Sequence, residues 1–168
     1  MIFYYLDASA WVKRYYQEAG TTWMQDLFAQ GQMIASAPLG LIEVIATLVR
    51  KAKGREIDPP MLAQKMQELE VDWERFIRIQ MTSEVVDTAK TVAKERALRG
   101  ADAVHLASAL LLRSRLVGED DQLMLVASDR ELKDAAQSSN LAIIDPEEQE
   151  VPASRQPEED EQENQGGQ

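Results

Sequence analysis

The chain has no cysteine and a single histidine, His105, among its 168 residues. Without cysteine, disulfide staples and thiolate metal sites are excluded, and zinc is not expected. The lack of cysteine also suits a reducing compartment. No stretch approaches 18 uncharged apolar residues, and the short apolar start has no basic flank, so neither a membrane span nor a signal peptide is expected. These absences together lead us to expect a cytoplasmic protein without membrane contact. Positive charge is also scarce: 18 Lys and Arg face 29 Asp and Glu, a net charge of −11. Nine of those acids and one basic residue lie between Asp145 and Gln168, which leaves −3 on residues 1–144. A protein that coats nucleic acid needs a basic surplus or stripe. Bulk DNA binding is excluded on this ground, and any phosphate substrate must be gripped locally.

What is present is enough apolar material for one core, since 45% of the residues are hydrophobic and the length suits one domain. Strands and helices alternate along it. Ile2 to Leu6 reads as a strand, Ala8 to Glu18 as a helix stopped near Gly20, Thr22 to Gln30 as a second helix and Met33 to Ser36 as a short strand. Pro38 suits the first turn of a helix running to Lys53, where Gly54 ends it. Asp58 can cap a helix that Pro59 and Pro60 begin, with Leu62, Met66, Leu69, Trp73 and Phe76 spaced along one face. A brief strand is expected over Arg78 to Met81, then helices over Ser83 to Leu98 and Asp102 to Leu116. Leu123 to Ala127 is apolar enough for a strand buried on both faces. Ser128 and Glu131 form a possible capping box for a helix to Gln137, and Leu141 to Ile144 gives a last strand. Parallel pairing is the economical arrangement of such an order, so the expected class is α/β. The folded domain is expected to span residues 1–146. Residues 147–168, rich in Glu, Gln, Asp and Gly, are expected to form an acidic disordered tail.

Four acids stand at chemically conspicuous places. Asp7 closes the first strand, Glu43 interrupts the apolar run Leu41-Ile42-Glu43-Val44-Ile45, Asp102 opens Ala101-Asp102-Ala103-Val104-His105-Leu106-Ala107, and Asp129 follows the strand from Leu123. In an open α/β sheet, ligands bind beyond the carboxyl ends of the strands, where the strand order reverses, and Asp7 and Asp129 belong there. Like charges a few ångströms apart repel by about 4 kcal/mol per pair at an effective dielectric near 20, so such a group calls for protons or a divalent cation. Structural alternatives stay open: Asp7, Asp102 and Asp129 can be helix-cap or first-turn acids, and Glu43 can be the anion of a buried pair with an arginine. Glu43 lies in the second helical turn, beyond ordinary capping. His105 reads first as a buried, hydrogen-bonded histidine rather than an acid–base group. Ser9 suits either the metal shell or phosphate, or an orphan amide at the helix start. Lys13, Arg14 and Arg99 are near enough in sequence to the proposed pocket to touch phosphates but read first as solvated charges, and Trp11, Tyr15 and Tyr16 read as core rather than base-stacking groups.

The segments Leu6-Asp7-Ala8-Ser9-Ala10 with Lys13-Arg14-Tyr15, Glu43 in its helix, Arg99-Gly100-Ala101-Asp102-Ala103-Val104-His105-Leu106-Ala107, and Ala127-Ser128-Asp129 with Leu132 resemble the PIN-domain nucleases, in particular the VapC-like toxins of type II toxin–antitoxin systems. The resemblance spans nearly all of residues 1–146. It implies a PIN-like three-layer fold in which helices flank a central, mostly parallel sheet. It also implies a magnesium- or manganese-dependent endoribonuclease, with Asp7, Glu43, Asp102 and Asp129 as its catalytic and metal-binding acids. Mg²⁺ (Mg2+, or Mn2+) commonly takes one or two direct carboxylates, so Asp7 and Asp102 are the direct choices and Glu43 and Asp129 act through water. The family often has Thr or Ser two residues before the last Asp, where this chain has Ala127. The implied partners are an RNA substrate, a cognate antitoxin and a second copy in a homodimer. The stripe from Leu62 to Phe76 could serve either of those protein contacts or the core. Two other functions compete. A phosphatase of the haloacid-dehalogenase type also has Asp after its first strand but expects a second Asp where Ser9 stands, and a catalytically weak PIN-like RNA- or protein-binding module would not need all four acids.

Overall fold

A computed structural model describes residues 1–116 and 118–150. Five strands form one sheet in the order β3-β2-β1-β4-β5, with every neighbouring pair parallel. They are β1 (Ile2–Leu6), β2 (Met33–Ser36), β3 (Ile77–Arg78), β4 (Gln122–Val126) and β5 (Ala142–Ile144). The helices are α1 (Ala8–Trp11), α2 (Thr21–Ala29), α3 (Pro38–Lys53), α4 (Pro59–Trp73), α5 (Ser83–Arg96), α6 (Gly100–Arg115), α7 (Arg130–Ser138) and α8 (Pro146–Gln149). The expected three-layer α/β architecture is therefore present. Strand β1 is central, and the order reverses between β1 and β4, which pair over their whole length from Ile2↔Gln122 to Leu6↔Val126.

Two apolar clusters cover the two faces of the sheet. On one face α5, α6 and α7 pack over Tyr5, Leu123 and Leu125 through Leu106, Ala109 and Leu132. On the other, α1 to α4 pack through Trp11, Met24, Val44, Leu48 and Leu69. Trp11, Trp73 and Phe76 form an aromatic knot there, with the Trp11 and Phe76 rings 4.7 Å apart and stacked. Trp11 and Tyr15 are thus core, and the Leu62–Phe76 stripe supplies Leu69, Trp73 and Phe76 to the same cluster.

Local details depart from the sequence expectation where tertiary contacts prevail. The helix expected over Ala8 to Glu18 lasts only to Trp11 and tightens into a 3₁₀ turn over Val12–Arg14. Tyr15 is pinned there from both sides, accepting the Trp11 indole N–H at 3.1 Å and donating to Asp72 at 2.8 Å. Asp129, rather than Ser128, caps α7 by accepting the Leu132 N–H at 3.0 Å. Ser128 donates instead to Asp145. Helix α6 begins at Gly100, so Asp102 sits inside its first turn and is not its cap.

Lys13, read from sequence as a solvated charge, has a side chain only 4% exposed. It donates to Glu18 at 3.1 Å and to Glu147 at 2.7 Å. Burial alone would depress the Lys13 pKa, but those two hydrogen bonds outweigh it and hold the ammonium above its ordinary value. Glu147 belongs to α8, which follows the last strand and lies against α2. Gly20, at φ +92°, lets α8 approach closely, since a Cβ there would stand 2.8 Å from the Pro146 Cβ. Glu150 accepts the Thr22 N–H at 2.8 Å at the start of α2. Residues 147–150 therefore pack on the body, beyond the boundary expected at Pro146. Residues 151–168 of the expected tail lie outside the described residues.

The Lys13 contacts give an asymmetric prediction. Replacing both Glu18 and Glu147 by Gln leaves a buried ammonium without a counter-ion and should cost about 2 kcal/mol or more. Lys13→Met, which removes the charge and keeps the packing, should change stability by less than about 1 kcal/mol. Urea unfolding of the two variants checks this, and equal losses would mean that the charge pairing is immaterial.

Candidate active site

The four acids come from four elements that end or begin at the carboxyl edge of the sheet. Asp7 follows β1, and its N–H donates to the Val126 carbonyl at 3.1 Å, which extends the β1–β4 ladder to the switch point. Its side chain, 3% exposed, caps α1 by accepting the Ala10 N–H at 3.1 Å. The Ser9 hydroxyl donates to the same carboxylate, its Oγ lying 2.9 and 2.8 Å from the two oxygens. Ser9 Oγ in turn accepts the N–H groups of Ser128 at 3.0 Å and Asp129 at 3.1 Å. One hydroxyl thus ties the end of β1 to the turn after β4, where Ala127 is fully buried and offers no hydroxyl of its own.

Asp7 has no basic side chain within ion-pair distance among the described residues, and its neighbours are a hydroxyl and amides. Burial pushes its pKa up to about 6, against the lowering effects of His105, the Ser9 hydroxyl and the backbone amides. Asp102 is 8% exposed, and its pKa is also raised, first by burial and then by the neighbouring Asp129, with Arg99 opposing both. Arg99, the residue that leads into α6, spans the two acids: Nε lies 3.0 Å from Asp102 and Nη2 2.8 Å from Asp129. The Arg99 side chain is 68% exposed, so solvent screens both pairs and each is weak.

Glu43 is held from another direction. Its Oε1 lies 2.6 Å from His105 Nε2, while His105 Nδ1 lies 3.0 Å from the Tyr5 hydroxyl. The partner of Glu43 is therefore a histidine and not the arginine considered as its alternative. His105 is 1% exposed, in keeping with its reading as a buried, hydrogen-bonded residue.

The fit to a divalent cation follows from these contacts. All four acids are oxygen donors of the kind hard cations take, and Asp7 is a buried carboxylate without a compensating charge. Among the described residues, no three Asp, Glu or His side chains converge as a ready-made cage, because Arg99 draws Asp102 and Asp129 while His105 draws Glu43. An ion that keeps several waters and takes one or two carboxylates does not need such a cage. The donor set fits on those terms. A separate cleft of about 570 Å³, lined by Arg14, Phe28, Asp72, Arg75 and Phe76, opens beside Met33 at the opposite end of β2 and contains none of the four acids.

Sequence reading found the acids and Ser9. It missed Arg99 as their bridging cation, although its position three residues before Asp102 places both on one face of the helix start. It also missed Tyr5, which period-2 alternation places on the same face as Asp7.

The raised pKa of Asp7 sets a pH dependence. A carboxyl that holds its proton more tightly in the folded than in the unfolded chain adds no penalty below pH 4, where both states are protonated. It costs stability as pH rises through about 6. Asp7→Asn removes this cost, so in metal-free buffer it should exceed wild type by about 1–3 kcal/mol at pH 7, from roughly 1.4 kcal/mol per unit. The gap should close near pH 4. Urea titrations at both pH values check this, and an Asn variant that is weaker at both would make Asp7 a purely structural cap.

Comparison with known proteins bears on the family and the fold. The PIN domain family matches residues 4–138. Ribonuclease VapC45 of Mycobacterium tuberculosis (strain CDC 1551 / Oshkosh) is 34% identical over 139 residues, which cover 83% of this chain and 92% of the relative. Among solved structures, PAE2754 from Pyrobaculum aerophilum superposes with a TM-score of 0.62 at 22% identity, covering 84% of this chain and 83% of that one. VapBC2 from Rickettsia felis, bound to a DNA fragment from its promoter, gives 0.58 at 16% identity, covering 86% and 98%. At these identities the solved structures speak for the fold.

Proposed function

The chain belongs to the PIN-domain family, and on that premise we propose that it is a metal-dependent endoribonuclease that hydrolyses RNA phosphodiester bonds as the toxin of a toxin–antitoxin pair. The observation that carries this reading is the buried carboxylate of Asp7 at the switch point, linked through Ser9 to the Asp129 backbone, with Arg99 in turn bridging Asp129 and Asp102. The name of the ribonuclease relative supports the reaction class, and the VapBC structures support an antitoxin partner. A homodimer and a cytoplasmic setting belong to the same proposal. No helix among the described residues is long and apolar enough to cross a membrane.

In this reading Asp7 and Asp102 hold Mg²⁺ or Mn²⁺ directly, and Glu43 and Asp129 do so through water. A divalent cation held by these residues would supply polarisation of a phosphoryl oxygen and a lowered pKa for a bound water. The protein's own groups supply the rest. Ser9 keeps the Asp7 carboxylate oriented toward the turn after β4, and burial around Asp7 and Asp102 keeps bulk water from screening their charge. Arg99, exposed and bound to two acids by weak pairs, is within easy swing of an incoming phosphate, for which a guanidinium is well shaped. The nearly neutral body, with 17 basic and 16 acidic residues outside these four acids and the Asp145–Gln168 segment, limits phosphate binding to this place.

A second reading, a catalytically weak RNA- or protein-binding module, is favoured by one observation: Arg99 already neutralises Asp102 and Asp129. Cleavage of a mixed RNA pool with Mg²⁺, Mn²⁺ or EDTA separates the two. Wild type should cut only with metal, Asp7→Asn and Asp102→Asn should lose about 10²-fold or more, Glu43→Gln should behave similarly, and Asp129→Asn should lose less. Binding of RNA without metal-dependent cleavage would favour the module. Mn²⁺ should also raise the melting temperature of wild type more than that of Asp7→Asn, because a ligand of the folded state stabilises by RT ln(1 + [L]/Kd). Equal shifts would remove the acids as the metal site.

A further inference from the structure

Three elements each supply an acid together with a residue that supports it. On β1 and its extension, Tyr5 and Asp7 are two residues apart and so share a face. On α3, Gly40 and Glu43 are three apart, and on α6 Asp102 and His105 are likewise three apart, each pair sharing a helical face. The supporting residues meet one another inside the fold. Tyr5 is fully buried, its ring packed edge-on against the His105 ring with centroids 5.9 Å apart. Gly40 lies beneath that ring: a Cβ there would come 3.1 Å from His105 Cε1 and 2.7 Å from the buried Ser36 hydroxyl. Ser36 is itself fixed by donating to the Leu6 carbonyl at 2.7 Å. A side chain at position 40 would therefore wedge α3 away from α6 and separate His105 from Glu43.

The hydrogen-bond directions are constrained. A contact of 2.6 Å between His105 Nε2 and a Glu43 oxygen needs a proton between them. The Tyr5 phenol, an O–H donor at neutral pH, can donate to Nδ1 at 3.0 Å. A neutral imidazole that accepts at Nδ1 carries its proton on Nε2 and donates it to the carboxylate.

We propose that His105 is a positioning residue for Glu43: its Nε2–H holds that carboxylate in the acid cluster, the Tyr5 hydroxyl fixes the tautomer, and the absence of a side chain at Gly40 allows the approach. This rests on the reading that Glu43 belongs to the site. His105 does not touch substrate or metal in this arrangement and acts only through the carboxylate. Partners of this kind typically change metal affinity or activity by about 10- to 100-fold when removed.

The test is a set of double-mutant cycles read in two ways: Mn²⁺ affinity from melting shifts, and kcat and KM for RNA cleavage. Tyr5→Phe keeps the ring and removes only the hydroxyl, so it should weaken Mn²⁺ binding or kcat about tenfold while KM for RNA stays level and the metal-free melting temperature falls by no more than a few degrees. His105→Gln retains an N–H donor and should keep more activity than His105→Leu. In a Glu43→Gln background, Tyr5→Phe and His105→Leu should add no further loss, because the group they orient is already gone. Losses that multiply in that background, or a rise in KM with kcat unchanged, would make the pair a general core element and overturn the inference. If His105→Leu does not fold, the Tyr5→Phe cycle decides alone. Wild-type behaviour of Glu43→Gln would overturn this inference together with the place of Glu43 in the site, while Asp7→Asn would still report on the parent reading.

Discussion

A carboxylate buried at the end of the central strand, without a basic partner among the described residues, is the constraint around which this molecule is arranged. Asp7 is placed by the β1–β4 ladder, which a one-residue slip would break, and by its capping of α1. A carboxylate in that setting must find donors, and the chain provides small and neutral ones: the Ser9 hydroxyl and the Ala10 amide. Positive charge is kept one step away, on Arg99 between Asp102 and Asp129. A guanidinium on Asp7 itself would neutralise the very group whose charge a cation would seek. The folded protein instead carries an electrostatic cost at neutral pH, which is the condition in which binding a divalent ion yields most.

The strands, the capped helices and the acids were readable because each is written in a short window of sequence. Met33–Ser36 and Pro38–Lys53 coincide with their expected bounds, the second because Pro38 and Gly54 mark its ends. The capping of α4 by Asp58 is equally local, with Met61 N–H donating at 2.8 Å. What escaped is long-range. Helix α1 ends early because Tyr15 is drawn to Asp72, 57 residues away, and nothing within Ala8 to Glu18 reports that. Asp129 prevails over Ser128 as the α7 cap because Ser128 is taken by Asp145.

The site divides in the same way. Asp7, Glu43, Asp102 and Asp129 could be picked out one at a time from their places in strands and helices, but their partners could not. Arg99 reaches Asp129 across 30 residues and His105 reaches Glu43 across 62. Lys13 looks like an ordinary surface cation in sequence and is buried in the fold, where Glu147, 134 residues later, accepts from its ammonium. Composition could flag the C-terminal acids as unable to build a core, and yet Glu147 and Glu150 each satisfy a specific donor of the folded body. Charge counting cannot distinguish an acid that solvates from one that clasps.

The pairing of the first strand with one that follows it by some 120 residues has a consequence for synthesis. Strand β1 emerges first from the ribosome, but its neighbour β4 and the turn holding Asp129 are made late, and α8 comes later still. Long-range pairing of this kind delays folding until both partners exist. A growing chain thus has Asp7 without its ladder, Lys13 without Glu147 and Glu43 without His105. The acids are therefore not assembled until the turn after β4 has been made, so a shorter growing chain presents no completed site.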